Sequence, residues 1–154
     1  LYGAGPDKIG KIVGAGKEQG KMLIKRFLSN LPALRRLREQ VENAGRRGKI
    51  KAIDGRYLKV RNAHSALNTL LQGAGAIICK HWLLRITHRV YNKKLDVKLV
   101  ASVHDEYQFE VANKDVGEFC SITKIGIKET ENLLKLRCPL DNDYKVGVTW
   151  AETH

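Results

Sequence analysis

Long apolar runs are missing from this 154-residue sequence, in which no stretch reaches the roughly 18 consecutive apolar residues that a membrane-spanning helix requires. Aromatic residues make up only 6% of the chain, and no basic amphipathic anchor with bulky aromatics is present. Methionine occurs once, at Met22, and the first residue is Leu1. We therefore expect no membrane attachment, and these features leave a fragment of a longer protein open as an alternative to a whole one.

Cysteine is also scarce, with Cys79, Cys120 and Cys138 widely separated and never in C-x-x-C spacing. An odd number of isolated cysteines argues against a zinc site and against a disulfide framework. Reduced thiols are typical of intracellular proteins, where they mostly serve as small buried hydrophobic side chains. The sequence thus predicts a cytoplasmic protein.

Negative charge is scarce in the first part of the chain. Residues 1–63 hold 16 Lys+Arg and 5 Asp+Glu, a net of +11, whereas residues 64–154 hold 12 and 11, a net of +1. Such polarity favours a polyanionic partner, nucleic acid before an acidic membrane. The alternative is a merely solubilising surface.

The residue pattern predicts an α+β fold. Asp54-Gly55 lies between two β-prone runs and indicates a hairpin with a type I′ turn. A second hairpin is expected over residues 97–111, with His104-Asp105-Glu106 as its turn, and a final strand in the tail KVGVTWAETH. Helices are predicted over residues 7–14, 17–30, 32–43, 64–91 and 113–136.

Two groups of side chains suggest contact with a partner. The first hairpin and its flanks carry five cations: Lys49, Lys51, Arg56, Lys59 and Arg61. Crowding them together is unfavourable unless an anion lies nearby, so we expect them to contact phosphates. His64, Asn68 and Gln72 recur at i,i+4 on one helix face beside Gly73 and Gly75, which favours close approach by a hydrogen-bonding partner. A buried polar network is the alternative for that stripe.

The turn His104-Asp105-Glu106 is the only metal-ligand constellation that the sequence suggests. Carboxylate oxygens suit hard cations such as Mg²⁺, and a short turn fixes their direction. Polar turns contain Asp and Glu routinely, so an ordinary solvated turn stays an alternative.

Taken together, LYGAG near the start, DGRYLKVRNAHSALNTLLQGAGA in the middle, VHDE later and a C-terminal His resemble family A DNA polymerases. The order and spacing are most similar to the replicative enzymes of T-odd, short-tailed phages. The resemblance implies fingers helices followed by a palm-type antiparallel β-hairpin packed against a long helix. Residues 1–47 would be the C-terminal part of the fingers and residues 48–154 the C-terminal part of the palm.

The resemblance also implies roles for single residues. Asp105 would be the catalytic aspartate that binds both Mg²⁺ ions, and Glu106 its supporting neighbour. Tyr2 would lie near the template base. The remaining candidates would contact DNA. His104 and His154 would lie at the primer end, Gln72 and Asn68 would contact the minor groove, and His64 would face the duplex. Arg56 and Arg61 of the first hairpin are added for their charge.

A second aspartate, from a D-[YF]-S-x-[IL]-E type motif, does not occur in this sequence. The expected function is therefore a part of a DNA-directed DNA polymerase that is inactive by itself. Its partners would be primer–template DNA, a dNTP and the rest of the polymerase or a complementary subunit. The alternatives are a non-catalytic DNA-binding module, a split-polymerase subunit and, more distantly, a metal-dependent nuclease.

Overall fold

The computed structural model describes residues 4–153, so Tyr2 and His154 lie outside the described residues. The helices and strands, in chain order, are α1 (Pro6–Ile12), α2 (Lys17–Asn30), α3 (Pro32–Gly45), β1 (Lys49–Lys51), β2 (Tyr57–Lys59), α4 (Ala66–Lys93), β3 (Val97–Val103), β4 (Glu106–Val111), α5 (Val116–Leu134) and α6 (Trp150–Thr153). The strands form two separate antiparallel hairpins, β1–β2 and β3–β4. The expected α+β class is confirmed.

The chain divides into two compact units, with the boundary between Ala74 and Gly75 inside α4. The core of the first unit joins α3, the β1–β2 hairpin and the start of α4 through Val41, Ile50, Val60, Ala66 and Leu67. Alternation along the hairpin places Ile50 and Leu58, which pair across the strands, on its buried face. The hairpin is therefore half core and half surface.

The turn of the β1–β2 hairpin differs from the predicted type I′ turn at Asp54-Gly55. The Gly55 amide donates to the Ala52 carbonyl and the Ala52 amide to the Arg56 carbonyl, which makes Ile53, Asp54 and Gly55 a three-residue loop. Gly55 has φ +90°, as in the turn followed by a left-handed bulge residue that such loops use. The Asp-Gly pair thus marks the hairpin correctly but not its loop length.

The second unit packs the other hairpin against two helices that also contact each other. Its core contains Ile86 of α4 and Phe119 and Ile122 of α5, against which Val97 and Phe109 of the strands pack. The Trp82 indole Nε1 donates to the Thr123 carbonyl over 2.9 Å, which links α4 to α5. The expectation of a hairpin packed against a long helix is confirmed.

A β-bulge interrupts the pairing of β3 with β4. Leu99 pairs with Phe109 and Ala101 with Gln108, so Val100 is an extra residue in β3. Beyond the bulge Ser102 pairs with Tyr107, and each later residue of β3 lies on the face opposite to the one that simple alternation predicts.

The described part of the tail contains a helix and no strand, so the strand predicted for KVGVTWAETH is wrong. Val146 and Val148 are exposed rather than set against a partner strand, with Val148 95% exposed. The Glu152 carboxylate accepts a hydrogen bond from the Val148 amide over 2.7 Å, and this closes the tail into a turn before α6. Alternating valines alone do not make a strand where no sheet edge receives them.

The predicted long helix is confirmed with a shift of two residues at each end. His64 lies in a 3₁₀ turn (Ala63–Ser65) rather than in α4, and the Asn62 side chain accepts from the Ser65 amide over 2.9 Å. Asn62 therefore caps this segment. Within the described residues, no helix is long and apolar enough to cross a membrane.

Gly45 sets the contact between α3 and α4. A Cβ at Gly45 would lie 2.7 Å from the Ala66 Cβ and 3.4 Å from Val60 Cγ1. Gly45→Ala should therefore lower the free energy of unfolding by about 1–2 kcal/mol, because a methyl on a helix cannot move away cheaply. Equilibrium unfolding in urea measures this change.

Gly75→Ala is the matched control, because a Cβ there has nothing within 4 Å. This variant should raise the free energy of unfolding by about 0.5–1 kcal/mol through helix propensity. Equal effects of the two substitutions would contradict the packing argument.

Candidate functional site

The β3–β4 hairpin presents Asp105 in a two-residue loop. Val103 pairs with Glu106, so only His104 and Asp105 connect the strands, and both are exposed. His104, the first of the two loop residues, has φ 55°, and Asp105 has no positive φ. In two-residue hairpin loops of this kind the first position is commonly glycine. Holding a non-glycine residue there costs about 1–3 kcal/mol, and such strain clusters at functional sites.

Glu106 follows the loop as the first residue of β4. The Gln108 amide donates to Glu106 Oε1 over 2.8 Å, as expected for residues two apart on one face of a strand. The Glu106 carboxylate is therefore positioned by its own strand. This geometry suits a supporting role beside Asp105.

Half-buried side chains of α4 and β4 lie behind the loop. The rings of Trp82 and Tyr107 have centroids 5.6 Å apart, and Tyr107 also contacts Phe109 at 6.5 Å. Burial, and then the negative charge of Asp105, raise the pKa of the Cys79 thiol. Burial and Cys79 raise the pKa of Tyr107, against a hydrogen bond with Ser102 that lowers it.

These supporting residues were missed by sequence reasoning. The alternation of the segment VKLVASV does not reveal the Val100 bulge, which brings Ser102 opposite Tyr107. The aromatic residue directly after His104-Asp105-Glu106 was the available signal, since it had to fall on the core side of β4.

The polar stripe is found at the start of α4. His64 and Gln72 are exposed, and Asn68 is half-buried. The Asn68 Oδ1 atom is buried and has no hydrogen-bond partner among the described residues. A buried polar network would satisfy that oxygen, so the described residues show no such network around Asn68.

The glycine beside the stripe serves internal packing. A Cβ at Gly73 would lie 2.5 Å from Leu58 Cδ1, so the close approach at Gly73 is made by β2. The prediction that an external partner explains Gly73 is therefore wrong. Gly75 has nothing within 4 Å of its ideal Cβ and stays open to such a partner.

A groove of about 760 Å³ lies next to this stripe, within the first unit. His64 and Asn68 line one part of it, and the apolar side chains of α1 and α2, including Ile9, Leu23 and Phe27, line another. The structure thus brings His64 and Asn68 together at one concave surface. Gln72 continues the same helix face one turn further on.

The two hairpin arginines have different settings. Arg56 Nε lies 2.6 Å from Asp54 Oδ2 in the loop of the hairpin. Desolvation raises the pKa of Asp54, but the hydrogen bonds from the Arg56 amide and guanidinium outweigh it and hold this pKa below its usual value. Arg61 is exposed just after β2.

As a metal site, the loop offers one carboxylate of the right chemistry. No group of three or more His, Cys, Asp or Glu side chains able to hold a metal ion occurs among residues 4–153. Two ions about 3.5–4 Å apart need several oxygen ligands. The exposed Asp105 carboxylate therefore fits a contribution to a Mg²⁺ site and not a whole one.

Three phage DNA polymerases match this chain over all or nearly all of its length. The DNA-directed DNA polymerase of Escherichia phage T7 is 40% identical over 176 residues, covering 100% of this chain and 25% of that protein. That of Enterobacteria phage T3 is 39% identical with the same coverage, and that of Escherichia phage Phieco32 is 34% identical over 99% of this chain and 26% of that protein. The chain spans about a quarter of the length of these relatives.

A solved structure shares the fold. The POL domain of Pol1 from M. smegmatis, in complex with DNA primer-template and dNTP, superposes with a TM-score of 0.75 over 84% of this chain and 25% of that chain. Sequence identity is 20%, so this likeness concerns the fold alone. The family model described as DNA polymerase family A matches residues 1–152. The chain therefore belongs to DNA polymerase family A.

Proposed function

We propose that this chain forms part of a DNA polymerase that extends a primer on template DNA by metal-dependent nucleotidyl transfer. The observation that carries the proposal is the exposed Asp105 carboxylate in a strained two-residue loop, within a chain whose whole length matches phage DNA polymerases. Primer–template DNA, a dNTP and the rest of the polymerase are its partners. As in a phage replicative enzyme, the host cytoplasm is its location.

In the reaction, the primer 3′-oxygen forms a bond to the α-phosphorus of the incoming nucleotide, and the bond to the leaving pyrophosphate breaks. Mg²⁺, when bound, lowers the pKa of the 3′-hydroxyl and neutralises charge on the phosphates. Asp105 contributes a carboxylate to that ion. Glu106, positioned by Gln108, supports Asp105, and His104 adjoins the primer terminus.

The polar stripe of α4 reads the new base pair. Minor-groove acceptors, purine N3 and pyrimidine O2, are common to all correct pairs, so the Gln72 and Asn68 amides can donate to either. The exposure of Gln72 and the position of Asn68 in the wall of the groove support this contact. His64 faces the duplex beside them, and Arg56 and Arg61 add phosphate contacts.

The domain assignment follows the same family pattern. We assign residues 1–47, with α1 to α3, to the fingers and residues 48–154, with both hairpins, to the palm. Tyr2 near the template base and His154 near the primer end are assigned by family resemblance only. The competing functions are a non-catalytic DNA-binding module and a split-polymerase subunit. Primer extension after the missing polymerase segments are supplied would separate a polymerase part, in one chain or split, from a non-catalytic module.

A chimera tests the catalytic role of Asp105. This chain replaces the matching quarter of the phage T7 polymerase, and primer extension is measured. Asp105→Asn preserves the shape of the side chain but removes its charge, so turnover should fall by about 10³-fold or more, because electrostatic stabilisation of the transferring phosphate is lost. Primer–template affinity should change little.

Two variants control for this loss. Glu106→Gln should reduce turnover less than Asp105→Asn. Glu110→Gln removes a carboxylate of β4 that pairs with Lys98 at 3.7 Å, and it should leave turnover unchanged. Near-normal turnover of Asp105→Asn would refute the metal-ligand role. Because the resemblance places the second aspartate in an earlier segment, the 154-residue chain alone should incorporate no nucleotide.

Gln72 is tested in the same chimera. Gln72→Ala removes one neutral hydrogen bond to the minor groove, so extension should fall by up to about tenfold, with weaker discrimination against mismatched primer ends. Duplex affinity should stay close to that of the parent chimera. His88→Ala, an exposed substitution on the same helix, is the control. Unchanged extension and mismatch discrimination would return the stripe to a structural role.

Cys79 reports the charge of Asp105 in the 154-residue chain itself. Burial and, after it, the Asp105 carboxylate raise the pKa of the Cys79 thiol, so Asp105→Asn should lower that pKa and increase the thiolate fraction at a given pH. Alkylation of Cys79 by iodoacetamide, followed by mass spectrometry against pH, should then shift to lower pH. The exposed Cys138 should not change. An unshifted Cys79 profile would contradict the proximity of the two groups.

A further inference from the structure

The outer face of the β1–β2 hairpin carries four exposed side chains that the polymerase site does not use. Lys49 pairs with Lys59 and Lys51 pairs with Tyr57 across the two strands. Because side chains alternate along a strand, these four residues share the face opposite to Ile50 and Leu58. We call this surface, Lys49, Lys51, Tyr57 and Lys59, the hairpin face.

The charges on the hairpin face are uncompensated. Like charges directly opposite each other in an antiparallel pair are destabilising, and Lys49 and Lys59 are such a pair. Among residues 4–153, none of the three lysines pairs with a carboxylate, whereas Lys93, Lys98 and Lys128 do. The neighbouring Asp54 is already engaged by Arg56. An external anion would relieve this repulsion.

Tyr57 adds an aromatic surface among these cations. Its side chain is 66% exposed although tyrosine rings gain from burial. Lys49 Nζ lies 4.9 Å from the ring centroid, which is a cation–π contact that orients the ring. Much of the ring remains open to a planar ligand.

The hairpin face stands on a fixed support. Ile50 is 4% exposed, and Leu58 packs both into the core and against the Gly73 backbone of α4. The strands cannot turn their lysines inward without exposing Ile50 and Leu58. The positions of the three ammonium groups and the ring are therefore held by the core of the unit.

We propose that the hairpin face binds single-stranded DNA, with phosphates at Lys49, Lys51 and Lys59 and one base stacked on Tyr57. Proteins that bind single strands without sequence preference combine cations that follow the nucleic-acid backbone with aromatic side chains on which bases stack. A duplex has its bases stacked internally and would offer this face phosphates only. The site lies on a different element from Asp105 and from the α4 stripe, and it rests on the proposed function only in taking DNA as the polyanion.

The charge contribution is tested with the 154-residue chain and a labelled oligothymidylate, by fluorescence anisotropy over a range of salt concentrations. The triple variant Lys49→Gln, Lys51→Gln, Lys59→Gln should reduce the log–log salt slope by about 2, from about 0.7 for each phosphate contact on a single strand. The control triple Lys93→Gln, Lys98→Gln, Lys128→Gln removes the same net charge from paired lysines. It should keep the wild-type slope.

The stacking contribution is tested at Tyr57. Tyr57→Leu should weaken oligothymidylate binding about tenfold, as expected for the loss of one stacked base, and Tyr57→Phe should keep wild-type affinity. Affinity for a blunt duplex should be unaffected by either change. An oligonucleotide that carries 5-iodouracil should photocross-link to Tyr57, identified by mass spectrometry.

Folding is controlled by a stability measurement. Lys59→Glu places opposite charges across the strands, so it should raise the thermal midpoint while weakening binding of the single strand. A loss of affinity with a raised midpoint cannot come from unfolding.

Several results would overturn the inference: no binding of oligothymidylate by the wild-type chain, equal salt slopes for the two triple variants, or equal losses on single strand and duplex after Tyr57→Leu. The proposed function is judged separately, by primer extension with the Asp105 and Gln72 variants of the chimera. The template in that assay extends only a few bases beyond the primer end, so it offers little single strand to the hairpin face. Failure there would leave the oligothymidylate result standing.

Discussion

The two-residue connection between β3 and β4 is the constraint on which the candidate site depends. Pairing of Val103 with Glu106 leaves no slack in the loop, so His104 takes a positive φ and Asp105 is held out at the tip. The strain is sustained by the strands, which are anchored by Phe109 and Val111 in the core with α4 and α5. A longer loop would relieve His104 and lose the fixed direction of Asp105.

The net charge of +12 is spread unevenly between cations that have a carboxylate partner and cations that have none among residues 4–153. Many cations of the described residues are neutralised locally, as in Arg38 with Glu42 at 2.9 Å and Arg89 with Glu129 between α4 and α5. The lysines of the β1–β2 hairpin are left facing one another instead. Like charges directly opposite each other destabilise a hairpin, so these lysines are better explained by an anion that they attract than by a contribution to folding.

Much of the fold could be predicted from the sequence because its signals are local. Apolar periodicity identified α2 and α4, Pro32 marked the start of α3, and Asp54-Gly55 marked the first hairpin. The misses concern features that distant contacts decide. The position of the Val100 bulge depends on which side chains of β3 meet the core. The need for glycine at position 73 depends on where Leu58 lies. The tail forms no strand because the described residues offer no strand for it to pair with. In the site, the spacing of His104, Asp105 and Glu106 was readable, but Cys79, Trp82 and Tyr107 behind it depend on how α4 packs on the hairpin.

The central claim is that Asp105 holds a catalytic metal ion when the polymerase is complete. Metal-directed cleavage tests it most directly. Fe²⁺ replaces Mg²⁺ in the chimera with primer–template and nucleotide, hydrogen peroxide and ascorbate are added, and the hydroxyl radicals formed at the bound ion cut the backbone beside it. The account predicts cleavage next to Asp105 that excess Mg²⁺ suppresses and Asp105→Asn abolishes. Cleavage of this chain elsewhere, with the β3–β4 loop left intact, would contradict it.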